Sequence, residues 1–372
     1  MQRFAKNRIK QARRINKFDT ISYYVLQSME DLVRISTREG ATVYENSAMR
    51  KARENEIMNE KLKAEISPVL PEEFKNLQST RKEVVVNGSV YSRKISPVLE
   101  DGVRIIGYVE VYRDITLARK ISDELFHANK KINEDIVLAR NIQQAILPTI
   151  KDFQNISFQF KHVPSNNLSG DIFDVIQIDK HRMGMYIADV VGHGISASIM
   201  TMFIREAIRT ILSENGDLSP SEVVLELKER FGALKLDVSQ YFTIIFAIID
   251  TNEKTLTYVN AGHNATPLVF NENNMAEMRN RGRFISNIFP PLEYEERTLT
   301  LNPGDRFLFY TDGLLETMNR DGQFFGMDRL KKWIMKNPHS SRFLDKLTKD
   351  LQSFRWLEQK DDIAMLYMKI RG

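Results

Sequence analysis

The chain of 372 residues contains no cysteine. This absence excludes disulfide bonds, zinc sites built from thiolates and any cysteine nucleophile. A bound metal ion would have to be held by carboxylates, carbonyl oxygens, histidine or water. Those ligands suit magnesium and manganese.

Long apolar runs are also missing. No stretch approaches the roughly 18 apolar residues of a membrane-spanning helix, and the basic N-terminus, MQRFAKNRIKQARRINKF, lacks the apolar run of a secretory signal. We therefore expect a cytoplasmic protein without a membrane span. With 42% hydrophobic residues, 27% charged residues and a net charge of +4, the composition is typical of a globular protein, and the length of 372 residues suits two domains and a connector.

The excess of positive charge is concentrated in residues 1–19, where no acid precedes Asp19. A basic arm can bind nucleic acid or anionic lipid, or it can be the solvated start of a helix. A DNA-binding regulator is a third functional hypothesis for the chain, but no helix-turn-helix motif or further basic stripe supports it. We therefore predict no nucleic-acid partner and leave the purpose of this segment open.

Residues 20–116 mix short apolar runs with turn signals, which predicts a small α+β domain. The run ISYYVLQSM fits a strand or a helix, and NSAMRKARENEIMNEKLKAE is typical of a charged helix. Asn87-Gly88 separates two β-rich runs as a hairpin turn does. Asp101-Gly102 marks a second turn before the alternating strand VRIIGYVEVYRDIT.

Two short motifs in this domain resemble PAS sensor domains. GYVEVYRDIT resembles the end of that family, where an Asp-Ile-Thr motif closes the last strand before a signalling helix. VYENSAM resembles the PAS pattern in which Asn precedes a small apolar pair. The resemblance implies a PAS-like sensor domain over residues 20–116, and no His or Cys indicates an attached haem or flavin.

Residues 117–147 predict a helical linker that Pro148 ends. Its apolar residues fall on a heptad seam that only the polar Asp135 interrupts: Ile121, Leu125, Ala128, Ile132, Ala139, Ile142 and Ile146. Such a seam is typical of a two-stranded coiled coil. We predict a homodimer through the sensor domain and this helix. The alternative is a single amphipathic helix lying on its own domain.

Residues 148–372 alternate between β-rich and helix-favouring stretches. The β-rich runs include RMGMYIADVV, YFTIIFAIID, DRFLFYTDG and DIAMLYMKI. Several are apolar on both faces, which indicates burial beneath helices. One helical stretch, SPSEVVLELKERFGALKL, begins with a clear N-cap signal at Ser219-Pro220. We predict an α+β chain whose C-terminal domain is an αββα sandwich.

Four acidic segments of this domain lie at the end of an apolar strand or in a glycine-rich turn: SGDIFD at 169–174, ADVVGHG at 188–194, YTDG at 310–313 and KDDI at 360–363. An acid in such a place is costly to bury unpaired. Two clustered divalent ions would compensate these carboxylates and activate a bridging water for attack on a phosphoryl group. Because a single Asp-Gly is usually only a turn, the pattern alone leaves turns and a two-metal site as alternatives.

The order of the motifs resembles the bacterial branch of the PPM metal-dependent serine/threonine phosphatases, which includes the sigma-B-regulator and stage-II-sporulation phosphatases. From about Leu138 to Ile370 its blocks occur in sequence: LARNIQQAILP, SGDIFD, IADVVGHGISAS, VNAGHN, LNPGDRFLFYTDGLLET and KDDIAML. The resemblance implies a PPM-type phosphatase domain over residues 148–372. It also implies two bound ions, either Mn²⁺ or Mg²⁺.

The same resemblance implies which residues form the site. Asp189 would bridge both ions, and the residues expected to hold metal are Asp171, Asp174, Asp189, Val190 through its carbonyl, Asp312 and Asp361. His193 is a candidate proton donor to the leaving serine oxygen, or a residue of a tight turn without a chemical role. Residues expected to orient or brace their neighbours are Asp362, His263 and Asn264.

The chain departs from the family at Ser169, at Ile172 and in the loop around Pro290, Pro291 and Leu292, so substrate access is the property in doubt. The implied function is hydrolysis of phosphoserine or phosphothreonine on a regulatory protein, such as an anti-anti-sigma factor. We expect the sensor domain to control it through the linker helix. The alternative is a catalytically inert, phosphatase-like scaffold that binds a signalling partner.

Overall fold

The computed structural model of the chain describes residues 20–54, 79–86, 88–290, 293–337 and 340–371. The chain divides into two compact units, residues 1–131 and residues 132–372. Four predicted features lie wholly or partly outside the described residues: the basic segment 1–19, the charged stretch beyond Glu54, Asn87 of the first turn, and Pro291 with Leu292.

The N-terminal unit is built on a five-stranded antiparallel sheet with the strand order β2-β1-β5-β4-β3. The strands are β1 (Leu32–Thr37), β2 (Thr42–Glu45), β3 (Thr80–Val86), β4 (Ser89–Glu100) and β5 (Arg104–Asp114). Both predicted hairpins are present, because β3 pairs with β4 and β4 with β5. The helices are α1 (residues 20–28), which is the run that fitted either structure, and α2 (Ser47–Glu54).

The side chains of the two PAS-like motifs form hydrogen bonds where one helix or strand of this unit meets the next. The side-chain oxygen of the buried Asn46 accepts hydrogen bonds from the N–H groups of Val33 and Met49, at 3.1 and 2.9 Å. This ties α2 to β1. Asp114 accepts from the N–H and the hydroxyl of Thr116, at 2.8 and 2.6 Å, where β5 passes into the next helix. The PAS-like character of the unit stays a prediction.

The predicted linker is one continuous helix, α3 (Thr116–Ala145), of 30 residues. Apolar residues of the heptad seam, among them Ile121, Leu125, Ile132 and Ile142, are exposed. The side chain that α3 buries is Gln143. The helix is confirmed, whereas its pairing in a coiled coil stays a prediction. Of the helices in the described ranges, none has both the length and the apolar character needed to cross a membrane.

Two antiparallel sheets form the C-terminal unit. The first has the order β15-β11-β10-β9-β8 with β14 beside β10, and the second has the order β13-β12-β16-β17-β7-β6. The strands of the first are β8 (Asp171–Gln177), β9 (Arg182–Val190), β10 (Tyr241–Asp250), β11 (Thr255–Ala261), β14 (Ile285–Ser286) and β15 (Arg297–Thr300). Those of the second are β6 (Asp152–Phe153), β7 (Ile156–Val163), β12 (Leu268–Phe270), β13 (Met275–Glu277), β16 (Arg306–Tyr310) and β17 (Ile363–Ile370).

Helices cover the outer face of each sheet. They are α4 (Ile195–Glu214), α5 (Pro220–Ala233), α6 (Asp312–Glu316), α7 (Gly326–Lys336) and α8 (Phe343–Phe354). Side chains of α4 and α5 pack on the first sheet, and those of α7 and α8 pack on the second. A third apolar cluster fills the space between the sheets, with Phe173, Ile187 and Phe309 among its members. The predicted α+β sandwich of the C-terminal domain is confirmed, and strands apolar on both faces follow from these layers.

Candidate active site

Strand pairing brings two of the predicted acids together. Asp171, the first residue of β8, stands directly opposite Asp189 of β9 in the antiparallel register. Like charges in this arrangement destabilise a sheet. The Asp171 carboxylate is buried and accepts a hydrogen bond from the Thr311 hydroxyl at 2.7 Å. The first sheet therefore concentrates negative charge at one edge.

The second sheet supplies two more acids to the same place. Asp312 begins α6 after β16, and Asp361 shortly precedes β17, which is the strand paired with β16. Burial, together with the charges of Asp312 and Asp361, raises the pKa of Asp189 to about 8. Burial and the Asp189 charge hold the pKa of Asp171 well above its usual range. We call Asp171, Asp189, Asp312 and Asp361 the acidic cluster.

Asp362 lies beside the acidic cluster, but its carboxylate is already saturated with hydrogen bonds. One oxygen accepts from the N–H and hydroxyl of Ser165, at 2.6 and 2.9 Å. The other accepts from the Ser169 hydroxyl and the Gly170 N–H, both at 2.8 Å. Asp362 thus fixes the segment that leads into Asp171, which is an orienting position.

His263 connects the two sheets behind the acidic cluster. Its Nε2 lies 3.0 Å from the carbonyl oxygen of Tyr310, and its Nδ1 lies 3.0 Å from the Thr243 hydroxyl. A carbonyl only accepts, so Nε2 carries the proton and Nδ1 accepts from Thr243. Burial lowers the pKa of His263, which favours this neutral form. The next residue, Asn264, donates to Asp312 at 3.0 Å. Both residues therefore brace the site.

The turn after β9 is shaped by glycine. Gly192 and Gly194 have φ values of 89° and 82°, a region that residues with a side chain rarely adopt. The chain can therefore pass directly from Val190 into α4. The Val190 N–H donates to the Gly170 carbonyl at 3.1 Å, so this turn is fixed to the segment before Asp171. His193, between the two glycines, is exposed.

Asp174 is the predicted metal ligand that the structure does not bring to the acidic cluster. It lies three positions after Asp171 on β8, and successive side chains of a strand point to opposite faces. Asp174 is fully buried against α4, where Arg209 donates to it at 2.7 and 3.1 Å and Arg205 lies 3.5 Å away. The geometry gives it the position of a structural ion pair.

Sequence reasoning missed several residues that position the site. Thr311, which donates to Asp171 and accepts from Ala364, lies inside the quoted YTDG motif. The i, i+4 spacing of Arg205 and Arg209 in IREAIR indicates that both side chains lie on the same face of a helix, and it could have been used to predict this. Gln143 gave a weaker signal, as a polar residue beside the heptad seam.

Gln143 fastens the end of α3 to the site. Its amide nitrogen donates to the Ser169 carbonyl at 2.8 Å and to the Thr201 hydroxyl at 3.1 Å. Its amide oxygen accepts from the Ser169 N–H at 3.1 Å. The segment that Gln143 holds is the one that Asp362 holds from the other side, immediately before Asp171.

The donor chemistry of the acidic cluster fits divalent cations. In the described part of the chain, no three His, Asp or Glu side chains are already arranged to hold one ion. The four carboxylates are nevertheless crowded at one edge, and no salt bridge joins any of them to Lys or Arg among the described residues. Burial and the neighbouring carboxylates raise the pKa values of Asp171, Asp189 and Asp361, and an oxygen-binding cation such as Mg²⁺ or Mn²⁺ would compensate the negative charge.

Comparison with known proteins identifies this fold. The structure is similar to the SiaA-PP2C domain of Pseudomonas aeruginosa, with a TM-score of 0.57 and 22% identity over 65% of this chain and 98% of that chain. It is also similar to the PP2C phosphatase domain of SpoIIE from Bacillus subtilis with a fragment of its regulatory domain, with a TM-score of 0.51 and 12% identity over 98% of both chains. These similarities define a PP2C-type phosphatase fold.

Sequence comparison gives the family. Residues 179–371 match the family described as stage II sporulation protein E (SpoIIE), and the chain belongs to it. It is 32% identical to phosphoserine phosphatase RsbP of Bacillus subtilis, over 51% of this chain and 47% of RsbP. It is 27% identical to phosphoserine phosphatase RsbU of the same organism, over 71% of this chain and 76% of RsbU. The chain thus spans about half of RsbP and three quarters of RsbU.

Proposed function

We propose that this protein is a metal-dependent protein serine/threonine phosphatase. The observation that carries the proposal is the buried pairing of Asp171 with Asp189 at an edge where Asp312 and Asp361 add further negative charge. The relatives RsbP and RsbU, both named phosphoserine phosphatases, support it. The proposed substrate is a phosphoserine or phosphothreonine on a regulatory protein, and the resemblance favours an anti-anti-sigma-like partner.

The proposed ligands of two Mn²⁺ or Mg²⁺ ions are Asp171, Asp189, the Val190 carbonyl, Asp312 and Asp361. The ions would supply an activated water and charge compensation for the phosphoryl oxygens. The chain's own contribution is to hold the carboxylates in place. Residues outside the ligand set do this by hydrogen bonds: Thr311, Asp362, Asn264 and His263.

His193 is the proposed proton donor to the leaving serine oxygen, because it is exposed in the turn that follows the Asp189–Val190 strand end. A proton donor matters most for a poor leaving group. The His193→Gln variant should therefore hydrolyse phosphoserine roughly 100-fold more slowly, with a much smaller loss on an activated aryl phosphate. Equal losses on both substrates would favour the alternative, a turn residue without a chemical role.

We further propose that the N-terminal unit controls the site through α3. The contacts of Gln143 with Ser169 support this, since movement of the helix end would displace the segment that carries Asp171. The Gln143→Ala variant should lose roughly tenfold in manganese-dependent activity. The matched control is Gln144→Ala, because Gln144 is exposed. Unchanged activity and unchanged response after deletion of residues 1–116 would reject this coupling.

The proposed assembly is a homodimer through the sensor-like unit and α3, supported by the exposed apolar seam of α3. Sedimentation equilibrium of the full chain tests it, with Ile121→Glu and Leu125→Glu as variants that should dissociate the dimer. A monomeric wild type would leave α3 as a single amphipathic helix.

The deciding experiment measures phosphate release by the full chain from a small aryl phosphate and from a phosphoserine protein. Wild type and Asp189→Asn are compared with manganese and with chelator. Manganese-dependent release that Asp189→Asn lacks is the expected result. Comparable release by both proteins would contradict the proposed chemistry, and release by neither would favour the inert scaffold.

A further inference from the structure

A cavity of about 90 Å³ lies beside the acidic cluster. Three segments form its walls: the end of α6, the turn at residues 318–324, and the loop between α8 and β17. Its lining includes Asp361, a member of the cluster, and Gly313, which follows Asp312. The cavity therefore borders the acidic cluster through Asp361.

The turn at residues 318–324, which forms one wall, is a closed hairpin. Met318 and Phe324 form an antiparallel bridge, and the side-chain oxygen of Asn319 accepts a hydrogen bond from the N–H of Gln323 at 2.9 Å. Arg329 of α7 donates to the Phe324 carbonyl and, at 3.0 Å, to the Gln323 side chain. Phe324 is thereby held at the cavity wall.

The loop between α8 and β17, which forms another wall, is joined to this hairpin by contacts of Trp356. The Trp356 N–H donates to the Met318 carbonyl at 3.1 Å, and the Arg320 guanidinium lies 4.8 Å from the centre of the Trp356 ring. Such a cation–π contact adds to the link between the walls. Gln359 donates to the Asp361 carbonyl within the same loop and to the Val163 carbonyl of β7, both at 2.7 Å, so the loop is fixed to the second sheet. The cavity is preformed, as ligand sites usually are.

The floor of the cavity requires glycine. A Cβ atom at Gly313 would lie 2.0 Å from the carbonyl oxygen of Asp362, so only glycine lets α6 pack on this backbone. At the cavity, Phe324 and Leu357 are 50% and 58% exposed. One exposed apolar side chain is ordinary, but two that line one cavity beside a reaction centre indicate a binding surface.

We propose that this cavity binds an apolar side chain of the substrate protein, of the size of leucine or phenylalanine, close in sequence to the phosphorylated residue. An extended chain advances about 3.4 Å per residue, so a side chain within about three residues of the phosphorylated one can reach it. This inference rests on the proposed function and deepens it. Phe324 and Leu357 become the residues that set sequence preference.

The test uses the full chain with manganese and phosphoserine peptides of small residues, in which a single leucine is moved through each flanking position. Burial of one leucine should raise kcat/KM roughly tenfold at one or more positions over the leucine-free peptide. Leu357→Ser and Phe324→Ser should remove most of this preference. Met335→Ser is the matched control, because Met335 is 49% exposed on α7 and lies outside the lining.

A second measurement does not need turnover. Trp356 adjoins the cavity wall, so tryptophan fluorescence in chelator should change saturably with the preferred leucine peptide in its unphosphorylated form. The change should be weaker in Leu357→Ser. An unaltered binding curve in Leu357→Ser would place the peptide elsewhere and overturn the inference.

The two proposals fail in different ways. If wild type hydrolyses every peptide and the aryl phosphate at similar kcat/KM whatever the position of leucine, the cavity inference is wrong and the phosphatase stands. A preference that survives both serine variants also overturns the inference. If wild type releases no phosphate from any substrate with manganese, the proposed function fails, and the fluorescence titration then decides separately whether the cavity binds the leucine peptide.

Discussion

Asp171 and Asp174 are buried acids three residues apart on one strand, yet their surroundings differ completely. Asp171 faces Asp189 and has a hydroxyl for its hydrogen-bond partner. Asp174 faces α4 and has Arg209 at 2.7 Å. One acid therefore lies among charges of its own sign, and the other is compensated within the fold.

The difference separates two uses of a buried carboxylate. An ion pair such as Asp174 with Arg209 is complete without any ligand, and removing one partner leaves an uncompensated buried charge. The acidic cluster is incomplete in this sense, because burial and the neighbouring carboxylates raise the pKa of Asp189 to about 8 and no basic side chain offsets them among the described residues. Only the second arrangement calls for a bound cation.

The largest expected effect comes from removing the central acid. Asp189→Asn should lower manganese-dependent phosphate release by about 1000-fold or more, because metal ions supply several kcal/mol of transition-state stabilisation. In chelator the same variant should be more stable than wild type to urea, since folding raises the pKa of Asp189 to about 8 at a cost in free energy that asparagine does not have. A variant less stable than wild type in chelator would show that the acids do not repel each other.

Removing one partner of the ion pair between Asp174 and Arg209 should destabilise the fold, whereas removing an acid of the acidic cluster should stabilise it. Arg209→Met leaves the buried Asp174 with the longer Arg205 contact and should lower the free energy of unfolding by about 3 kcal/mol. The control is Arg297→Met, which removes a surface pair with Glu295 and should cost less than about 1 kcal/mol. Urea unfolding measures both. Equal decreases in the free energy of unfolding for the two variants would mean that the pair of Asp174 with Arg209 contributes no more to stability than a surface pair.

Manganese should distinguish the two acids directly. At about 100 times its Kd, manganese should raise the free energy of unfolding of wild type by about 2.7 kcal/mol. We expect Asp171→Asn to lose this stabilisation and Asp174→Asn to keep it, whatever its stability without metal. If Asp174→Asn loses it as well, Asp174 is a metal ligand, as the sequence resemblance implied.

The smallest expected effect concerns the hydroxyl that serves Asp171. Thr311→Val removes the donor to Asp171 and the acceptor of the Ala364 N–H, and should lower the free energy of unfolding by about 1–2 kcal/mol. Thr311→Ser retains the hydroxyl and should cost less. A valine variant as stable as wild type would contradict this role of the hydroxyl, because valine keeps the methyl packing of threonine and lacks only the two hydrogen bonds.

Several elements could be predicted because their causes are local. The Asp101-Gly102 turn, the helical pattern of α3 and the N-cap signal at Ser219 all act within a few residues, and the structure contains the turn, the helix and the cap. The run at 21–29 was undecided, because short apolar segments fit either structure until tertiary packing selects one.

The acidic cluster was predicted only in part. The apolar runs before these acids indicated that the acids lie at strand ends and come close together. That Asp171 stands opposite Asp189 while Asp174 turns towards α4 depends on register and sheet face, which long-range pairing sets. The bridge from His263 to Thr243 and Tyr310 joins two sheets and leaves no signal at short sequence separation.

The sequence by itself determined the kind of chemistry that is possible here. Without cysteine, and with acids at the ends of apolar strands, any metal site must be made of oxygen ligands or histidine. The tertiary structure decided which acids lack a basic partner. The physical reason is that an acid's neighbours within the strand are fixed by the chain, whereas the charges that compensate it or crowd it come from other strands and helices.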